Sequence, residues 1–380
     1  METKQKKNWG QWIAILGYMM IGAACGILFL QYMDHSTQKG TTAAGTALSM
    51  LLMVLCMYVS LLVHIVIHEA GHLVFGLLTG YRFNSFRIAN LMWIKENDRI
   101  RFRKMSLAGT GGQCLMSPPD MTDGRIPVML YNYGGAIINA VTGFICAALS
   151  FLLPVYSLGW VILMLSALIG IAYALMNGLP FKMGAVNNDG RNALDMRNNK
   201  EAMRAFWIEM KSNELSSKGV RLKDMPEEWF LVPSDESMKN GMVATLGVFA
   251  CNRLFDEHRF AEADELMARL LSLDSGIVGL YRQLLICDRM YIELITQNRS
   301  DEIEKMRTKE QVKLMKAMKS YPSVLRTEYA YALLSQRDRE KAAGILKDFE
   351  DQAGRFPYPG EIGAEREFIT IAERKYSESA

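Results

Sequence analysis

Four long apolar segments constrain this chain more than any other feature of its sequence. They cover residues 9–30, 44–68, 128–152 and 155–177, whereas the sequence from about residue 195 onward is dense in Lys, Arg, Glu and Asp. A helix needs roughly 20 apolar residues to cross the ~30 Å hydrocarbon core of a bilayer. The sequence therefore predicts a mostly α-helical protein, in which about four transmembrane helices precede a soluble helical half.

The placement of positive charge predicts how these helices are oriented. Basic residues cluster in the N-terminal segment and in the 80–126 loop, whereas the 31–43 loop holds only Lys39. The positive-inside rule then places the N-terminus, the 80–126 loop and the C-terminal half in the cytoplasm. The first apolar stretch exceeds the core of a normal signal peptide, which favours an uncleaved anchor helix. A net charge of +3 is too small to indicate a nucleic-acid partner.

The 80–126 loop contains a strand signal. Polar and apolar residues alternate in "RFNSFRI" (82–88) and in "RIRFRKM" (99–105), and "KEND" lies between them. This pattern predicts a β-hairpin or a small sheet. Because open strand edges are not tolerated in lipid, we expect it at the cytoplasmic face or against the other helices.

The charged half of the chain contains one internal similarity. The segment "ACNRLFDEHRFAEADELM", which begins at Ala250, aligns with "AYALLSQRDREKAAGILK", which begins at Ala330, and the alignment pairs Ala263 with Ala343. Each segment predicts two amphipathic helices joined by a short charged turn. The pair resembles tetratricopeptide helix pairs, although other helical hairpins show the same spacing.

The apolar stretch "LLVHIVIHEAGHLVFGLL" (61–78) carries ionisable residues that are costly to bury in lipid. Within it, His68, Glu69 and His72 form the pattern H-E-x-x-H. Two imidazoles four residues apart share one helix face and can bind one Zn²⁺, and the adjacent Glu can reach a water on the metal. The alternative is a polar contact between helices, made by hydrogen-bonded histidines. His64, one turn earlier, is either a third ligand or, more typically, a structural residue.

A catalytic zinc usually has three protein ligands and an open position for water. Asp189, in "NNDG" just after the fourth apolar segment, is the best-placed third ligand, and Asp195 and Asn187 are the fallbacks. An ordinary Asp-Gly turn is the alternative interpretation of Asp189. His35 and His258 are less suitable, because the predicted topology places them on the opposite side and in the soluble half.

Together these motifs resemble the site-2 protease family of intramembrane zinc metalloproteases. "HEAGH" matches its metal-binding helix, and in "NGLPFKMGAVNNDG" the residues Asn177, Pro180, Asp189 and Gly190 match its Asn-x-x-Pro and Asp-Gly pattern. "GGAIIN" (134–139) resembles the family's G-P-x-x-N, so that Asn139 matches the active-site Asn. The resemblance covers roughly residues 42–195.

Three departures from the family pattern bear on this resemblance. Asp189 comes four residues later than in the commoner spacing, Asn188 stands where Leu is usual, and Ala136 stands where Pro is usual. Four residues are about one helical turn, so the carboxylate can still return to the metal. The resemblance implies that His68, His72 and Asp189 bind Zn²⁺.

It further implies that Glu69 is the general base and that Asn139 donates to the oxyanion or holds the substrate backbone. The expected activity is cleavage of a transmembrane or membrane-anchored peptide near the cytoplasmic face, in regulated proteolysis or peptide maturation. The β-hairpin would either pair with the unwound substrate or cover the active site. The helical half would bind a peptide or protein ligand, gate access to the site, or act as a scaffold.

Two other classes of protein compete with a protease. A non-catalytic receptor with a structural metal has no use for Glu69, and a transporter would show repeated broken helices, which the four apolar segments do not. The predicted domains are an N-terminal anchor helix with its external loop (1–41), the intramembrane metalloprotease core (42–195) and a cytoplasmic tetratricopeptide-like helical domain (196–380).

Overall fold

The computed structural model of the protein describes residues 9–38, 42–96, 99–105, 111–180, 182–183 and 186–378. The basic N-terminal segment and Lys39, on which the predicted orientation partly rests, lie outside the described residues. The chain divides into two compact units. One comprises the residues up to Tyr81 together with Pro127–Arg197, and the other comprises Arg82–Ile126 together with the residues from Asn198 onward.

Helices dominate both units. In chain order, the described helices are α1 (Trp9–Gln38), α2 (Ala43–Leu78), α3 (Val128–Ser150), α4 (Leu158–Gly178), α5 (Asp189–Met196), α6 (Lys200–Ser217), α7 (Gly241–Asp256), α8 (Phe260–Ser272), α9 (Gly279–Ile295), α10 (Ser300–Met306), α11 (Lys309–Ala317), α12 (Pro322–Ala330), α13 (Arg339–Ala353) and α14 (Pro359–Glu378). The described strands are β1 (Arg82–Ile88), β2 (Leu91–Glu96), β3 (Arg99–Lys104), β4 (Gly112–Ser117), β5 (Lys182–Met183) and β6 (Val186–Asn187).

The first unit, which we call the membrane unit, is built on four apolar helices. The stretches long and apolar enough to cross a bilayer are Ile15–Gln38, Ala43–Leu78, Val128–Ser150 and Leu158–Gly178. This finding confirms the four predicted helices. Their ends follow local chemistry, since Thr42 and Ser157 accept hydrogen bonds from the first turns of α2 and α4 and thereby satisfy backbone N–H groups that lack a partner within the helix.

The membrane unit has polar residues inside and large apolar residues outside. Ser60, His64 and Asn139 are buried, whereas Leu51 and Phe144 are each 65% exposed. A water-soluble protein shows the opposite distribution. The outer surface of this unit is therefore suited to contact with lipid, and its polar interior is the place to look for function.

Small residues let two of these helices approach closely. A Cβ atom on Gly71 of α2 would lie 2.4 Å from the carbonyl oxygen of Gly134 in α3, which no side chain tolerates. Glycine at both positions thus brings the two backbones together, as is common where helices pack in membranes. The contact fixes the distance between α2, which carries "HEAGH", and α3, which carries Asn139.

The sheet belongs to the second unit, which we call the helical unit. Its four strands are antiparallel in the order β3-β2-β1-β4. The hairpin predicted between 82–88 and 99–105 is wrong in its pairing, because β2 lies between those two strands. The segment "LMWIKE" (91–96) begins with four apolar residues in a row, which hides the alternation typical of a strand. In the structure Met92 and Ile94 face inward, whereas Leu91 and Trp93 face outward.

The helical half forms one main core from α7–α9 and α12–α14. Both similar segments are helical hairpins, formed by α7 with α8 and by α12 with α13, and a π-helical turn at Tyr331–Ser335 extends α12. One detail of the alignment does not hold. Ala263 is buried but Ala343 is exposed, and Ala342 is the buried residue instead. Assignment to tetratricopeptide repeats stays a prediction.

Packing within the helical unit also explains why the sheet belongs to it. The indole nitrogen of Trp207 in α6 donates a hydrogen bond to the carbonyl oxygen of Pro119, which follows β4, at 3.0 Å. The predicted functional domains, in which residues 42–195 form one core, divide the chain by sequence motif. The division by contacts does not test these functional domains, so they stay a prediction.

Candidate metal centre

The two histidines of "HEAGH" lie one turn apart on α2 and face the interior of the membrane unit. His68 and His72 are both buried, and their Nε2 atoms are 3.2 Å apart. The rings meet edge to face, with centroids 4.8 Å apart. This arrangement follows from the helix period, which brings residues i and i+4 to the same face.

Asp189 comes from a distant part of the chain and completes the group. Its Oδ2 lies 3.0 Å from Nε2 of His68 and 3.3 Å from Nε2 of His72. The aspartate is the first residue of α5, 121 residues after His68. The structure therefore brings together the three residues that the sequence singled out as metal ligands.

The size of this triangle tests whether the group fits a metal ion. The three ligand atoms are separated by 3.0, 3.2 and 3.3 Å. With bonds of 2.0–2.1 Å, two ligands of a tetrahedral zinc are about 3.3 Å apart. Two imidazole nitrogens and one carboxylate oxygen also form a usual donor set for a catalytic zinc, and a fourth position stays open. The residues fit Zn²⁺ in both spacing and chemistry.

The turn that carries Asp189 is held by its neighbour. Asn188 caps α5 by accepting a hydrogen bond from the backbone N–H of Arg191 at 2.9 Å. Its amide nitrogen donates to the carbonyl oxygens of Met176 and Leu179 at 2.6 and 2.5 Å. Asn188 thus ties the start of α5 to the end of α4, and the longer connection still returns the carboxylate to the histidines.

Gly190 also lets the start of α5 lie close to the end of α4. A Cβ atom at this position would lie 2.3 Å from the carbonyl oxygen of Gly178. Glycine after Asp189 is therefore required by packing between α4 and α5, since no larger residue fits. This is a structural reason for the motif that is separate from the charge of Asp189.

His72 is oriented by the backbone of α3. Its Nδ1–H donates a hydrogen bond to the carbonyl oxygen of Tyr131 at 2.7 Å. Because a carbonyl accepts only, the proton of the neutral ring lies on Nδ1, and the Nε2 lone pair faces Asp189 and His68. Such a hydrogen bond fixes both the tautomer and the orientation of a metal-binding imidazole.

The Nδ1 atom of His68 contacts a side chain, whereas that of His72 contacts a backbone carbonyl. The Asn139 amide lies between two histidines, with Nδ2 at 3.2 Å from Nδ1 of His68 and Oδ1 at 2.9 Å from Nδ1 of His64. A half-turn of the amide exchanges its two ends. Metal binding at Nε2 of His68 requires a proton on Nδ1, and hence the orientation in which the amide oxygen accepts from His68 and the nitrogen donates to His64.

Space for the His68 ring is created by a missing side chain. A Cβ atom on Gly135 would lie 2.4 Å from Cε1 of His68. Gly170 of α4 leaves similar room for His64, whose Cε1 would lie 2.6 Å from a Cβ atom there. The polar interior therefore depends on glycines in the two helices that face α2.

Glu69 lies beside the triangle, on the same helix. It is buried and close enough to His72 for their charges to interact. A carboxylate next to a metal-binding group is suited to accept and release a proton. Burial would raise the pKa of Asp189, but the neighbouring imidazoles of His72 and His68 outweigh this effect and hold the pKa below its usual range. Asp189 would therefore meet a metal ion as an anion.

The remaining sequence candidates lie elsewhere. Asp195 forms an ion pair with Arg191 at 2.8 Å, and the described group that can hold a metal consists of His68, His72 and Asp189 without Asn187. Sequence reasoning missed Tyr131, Gly135 and the capping role of Asn188. The paired glycines of "GGAIIN" were the signal for Gly135, whereas a backbone carbonyl such as that of Tyr131 leaves no signal in a sequence.

Four apolar helices, one of which carries H-E-x-x-H, and a distant aspartate define a membrane protein with the site of a metallopeptidase. Comparison with known families agrees with this class. The family model of peptidase family M50 matches residues 56–319, more than two thirds of the chain, and the protein belongs to this family. No curated protein and no solved structure matches the chain.

Proposed function

We propose that this protein is an intramembrane zinc metalloprotease that hydrolyses a membrane-spanning or membrane-anchored peptide near the cytoplasmic face. The observation that carries the proposal is the triangle formed by Nε2 of His68, Nε2 of His72 and Oδ2 of Asp189, with Glu69 beside it. Membership of peptidase family M50 supports the same reaction class.

Each residue has a defined part in this reaction. His68, His72 and Asp189 hold the zinc, which when bound supplies a Lewis acid that lowers the pKa of water and polarises the scissile carbonyl. Glu69 accepts a proton as the water oxygen bonds to the carbonyl carbon, and it returns that proton to the amide nitrogen as the C–N bond breaks.

The remaining polar groups act through the histidines. The carbonyl oxygen of Tyr131 keeps the His72 ring in the tautomer that presents Nε2 to the metal. Asn139 does the same for His68, with His64 behind it. Asn139 is therefore a positioning residue for the His68 ring. Its amide is buried between His64 and His68, on the side of the ring away from Nε2, and this placement does not favour the oxyanion role that the family resemblance implies.

The test of this function is the loss of cleavage when only the proton carrier is changed. In Glu69→Gln the ligands are intact, so we expect stoichiometric zinc and at least a hundredfold slower hydrolysis. Quantitative proteomics of membranes with and without this variant should reveal a small membrane protein that accumulates uncut. Unchanged cleavage in Glu69→Gln would rule out the mechanism.

Metal content separates the protease from a protein without a metal. We expect about one zinc per chain in the purified protein and its loss in His68→Ala. His258→Ala is the matched control, because His258 lies exposed in the helical unit and pairs with Glu367. Zinc retained in His68→Ala would contradict the assignment.

A further inference from the structure

The helical unit contains a cavity of about 220 Å³ among α6, α7, α9, α12 and α14. Its lining is strongly acidic. The charged side chains that line it are Glu209, Asp256, Asp288, Glu361, Glu365 and, as the single base, Arg326. The cavity lies wholly within this unit and shares no residue with the metal centre.

Charge pairing inside the cavity is incomplete. Asp256 pairs with Arg221, which lies outside the lining. Arg326 serves two acids at once, since it contacts Asp288 through Nη2 and Glu365 through Nε. One guanidinium between two carboxyls leaves them without a positive charge each.

Two more carboxyls line the cavity without a basic partner. Glu209 accepts a hydrogen bond from the Tyr281 hydroxyl at 3.0 Å, which brings no positive charge. Glu361 forms no ion pair with any described residue. Burial of an anion is costly unless a cation compensates it, so a cationic ligand in this cavity would stabilise the ionised form of these carboxyls.

Unpartnered polar atoms give an independent indication of a ligand. Ser212 and Arg326 line the cavity and are only 3% and 1% exposed. Oγ of Ser212 and Nη1 of Arg326 have no hydrogen-bond partner among the described residues. Buried polar groups are normally hydrogen-bonded, and a guanidinium nitrogen can only donate. The expected ligand therefore carries an acceptor oxygen as well as a positive charge.

Aromatic side chains complete the lining. Phe255 and Phe368 already face the Arg326 guanidinium, with centroid distances of 4.9 and 5.6 Å. Phe249, Tyr281 and Tyr321 line the same cavity and offer further faces on which an ammonium group can be stabilised. A volume of about 220 Å³ lies below the ~300–1,000 Å³ of pockets for drug-sized ligands, so the cavity holds one or two amino-acid residues.

We propose that this cavity binds an α-ammonium group with its adjoining carbonyl oxygen, as presented by the N-terminus of a peptide. The ammonium would face Glu361 and Glu209, and the carbonyl oxygen would accept from Nη1 of Arg326. A free amino acid offers the same chemistry from a second source. The inference is independent of the proposed hydrolysis, and its test measures binding rather than cleavage.

The experiment titrates the full-length protein, in detergent micelles, with three probes by isothermal titration calorimetry. Alanyl-alanine amide should bind, and its N-acetylated form should bind at least tenfold more weakly because it lacks the charge. Alanine amide tests the single-residue source. If alanine amide binds as tightly as the dipeptide amide, the site is assigned to a single amino acid. If alanine amide binds more weakly, the site is assigned to a peptide. Equal binding of the acetylated probe, or no binding of any probe, would overturn the proposal.

Variants connect the binding to the cavity. Glu361→Gln removes a carboxyl that could ionise beside the ammonium, without breaking an ion pair, and Glu209→Gln keeps an oxygen that can accept from Tyr281. Each substitution should weaken the binding of alanyl-alanine amide at least tenfold. Glu310→Gln, the same change at an exposed position of α11, should leave affinity unchanged. Wild-type affinity in both cavity variants would contradict the assignment, and thermal unfolding curves show whether each variant is folded.

Discussion

The Asn139 amide lies 3.2 Å from Nδ1 of His68, on the side of the ring opposite the nitrogen that faces Asp189. Two residues 71 positions apart in the chain are thus joined through an atom that does not touch the metal position. The contact makes the orientation of the His68 ring on α2 dependent on α3.

We expect Asn139→Ala to weaken zinc binding by about 10- to 100-fold, because loss of a hydrogen bond to a metal-binding histidine has effects of this size. Competition with a chromophoric chelator measures the affinity. Asn132→Ala is the control, since Asn132 is also buried on α3 but donates to the carbonyl oxygen of Val128. Equal affinity of Asn139→Ala and wild type would show that His68 needs no partner at Nδ1.

The capping residue before Asp189 yields a second prediction. Asn188→Leu restores the residue that is usual in the family, yet it removes three hydrogen bonds that hold the start of α5. Loss of the cap alone costs about 1 kcal/mol, and displacement of Asp189 should lower zinc affinity at least tenfold. The control is Asn192→Leu, one turn further along α5. If Asn188→Leu binds zinc with wild-type affinity, the connection between α4 and Asp189 does not need these hydrogen bonds to hold Asp189 in place.

A third prediction concerns the space around His68. Gly135→Ala adds a Cβ atom 2.4 Å from the His68 ring, so the ring or the helix must move. We expect zinc content below half of the wild-type value and little hydrolysis. The matched change is Gly22→Ala in α1, where no atom lies within 4 Å of the added Cβ. Zinc content is measured by inductively coupled plasma mass spectrometry, and a full complement in Gly135→Ala would contradict the packing argument.

The fourth prediction concerns the effect of pH on the helical unit. Burial, with a smaller contribution from Glu365, raises the pKa of Glu361 from its ordinary 4.5 to about 8. The folded unit therefore binds more protons than the unfolded chain between these values, and its stability falls as pH rises through this range. Thermal unfolding followed by circular dichroism should show the midpoint falling between pH 5 and pH 9.

The slope of that decline identifies the responsible group. Glu361→Gln should flatten the curve and raise the midpoint at pH 8.5 by several degrees, since about 1 kcal/mol corresponds to a few degrees for a domain of this size. Glu310→Gln should follow the wild-type curve. A midpoint that rises with pH in the wild type would show that the buried carboxyl is not the group that titrates.

Sequence reasoning identified the four apolar helices and the two histidines of the triangle for a physical reason, whereas Asp189 was chosen from its place after the fourth apolar segment and from the family resemblance. Helix period places His68 and His72 on one face whatever surrounds them, and lipid selects long apolar runs. Tyr131 and Asn139 meet the histidines only after α2 and α3 pack, across 59 and 71 residues. Periodicity says nothing about such contacts, although the family resemblance named Asn139.

The errors lie where local pattern was ambiguous. Strand β2 was hidden because Leu91, Met92, Trp93 and Ile94 form an unbroken apolar run, so that alternation between faces is invisible. The aligned alanines of the two helical hairpins are out of step by one residue because helix faces depend on how each hairpin packs. In both cases the deciding information is tertiary.

For the proposed protease, the length of α2 would bear on the depth at which a substrate is cut. From Ala43 to His68 the helix rises about 38 Å at 1.5 Å per residue, which is more than the ~30 Å thickness of the hydrocarbon layer. An upright α2 that enters at one leaflet has left the oil before it reaches its first ligand. The tilt of α2 and the residue at which it enters the bilayer would then set how far the metal centre lies from the aqueous boundary.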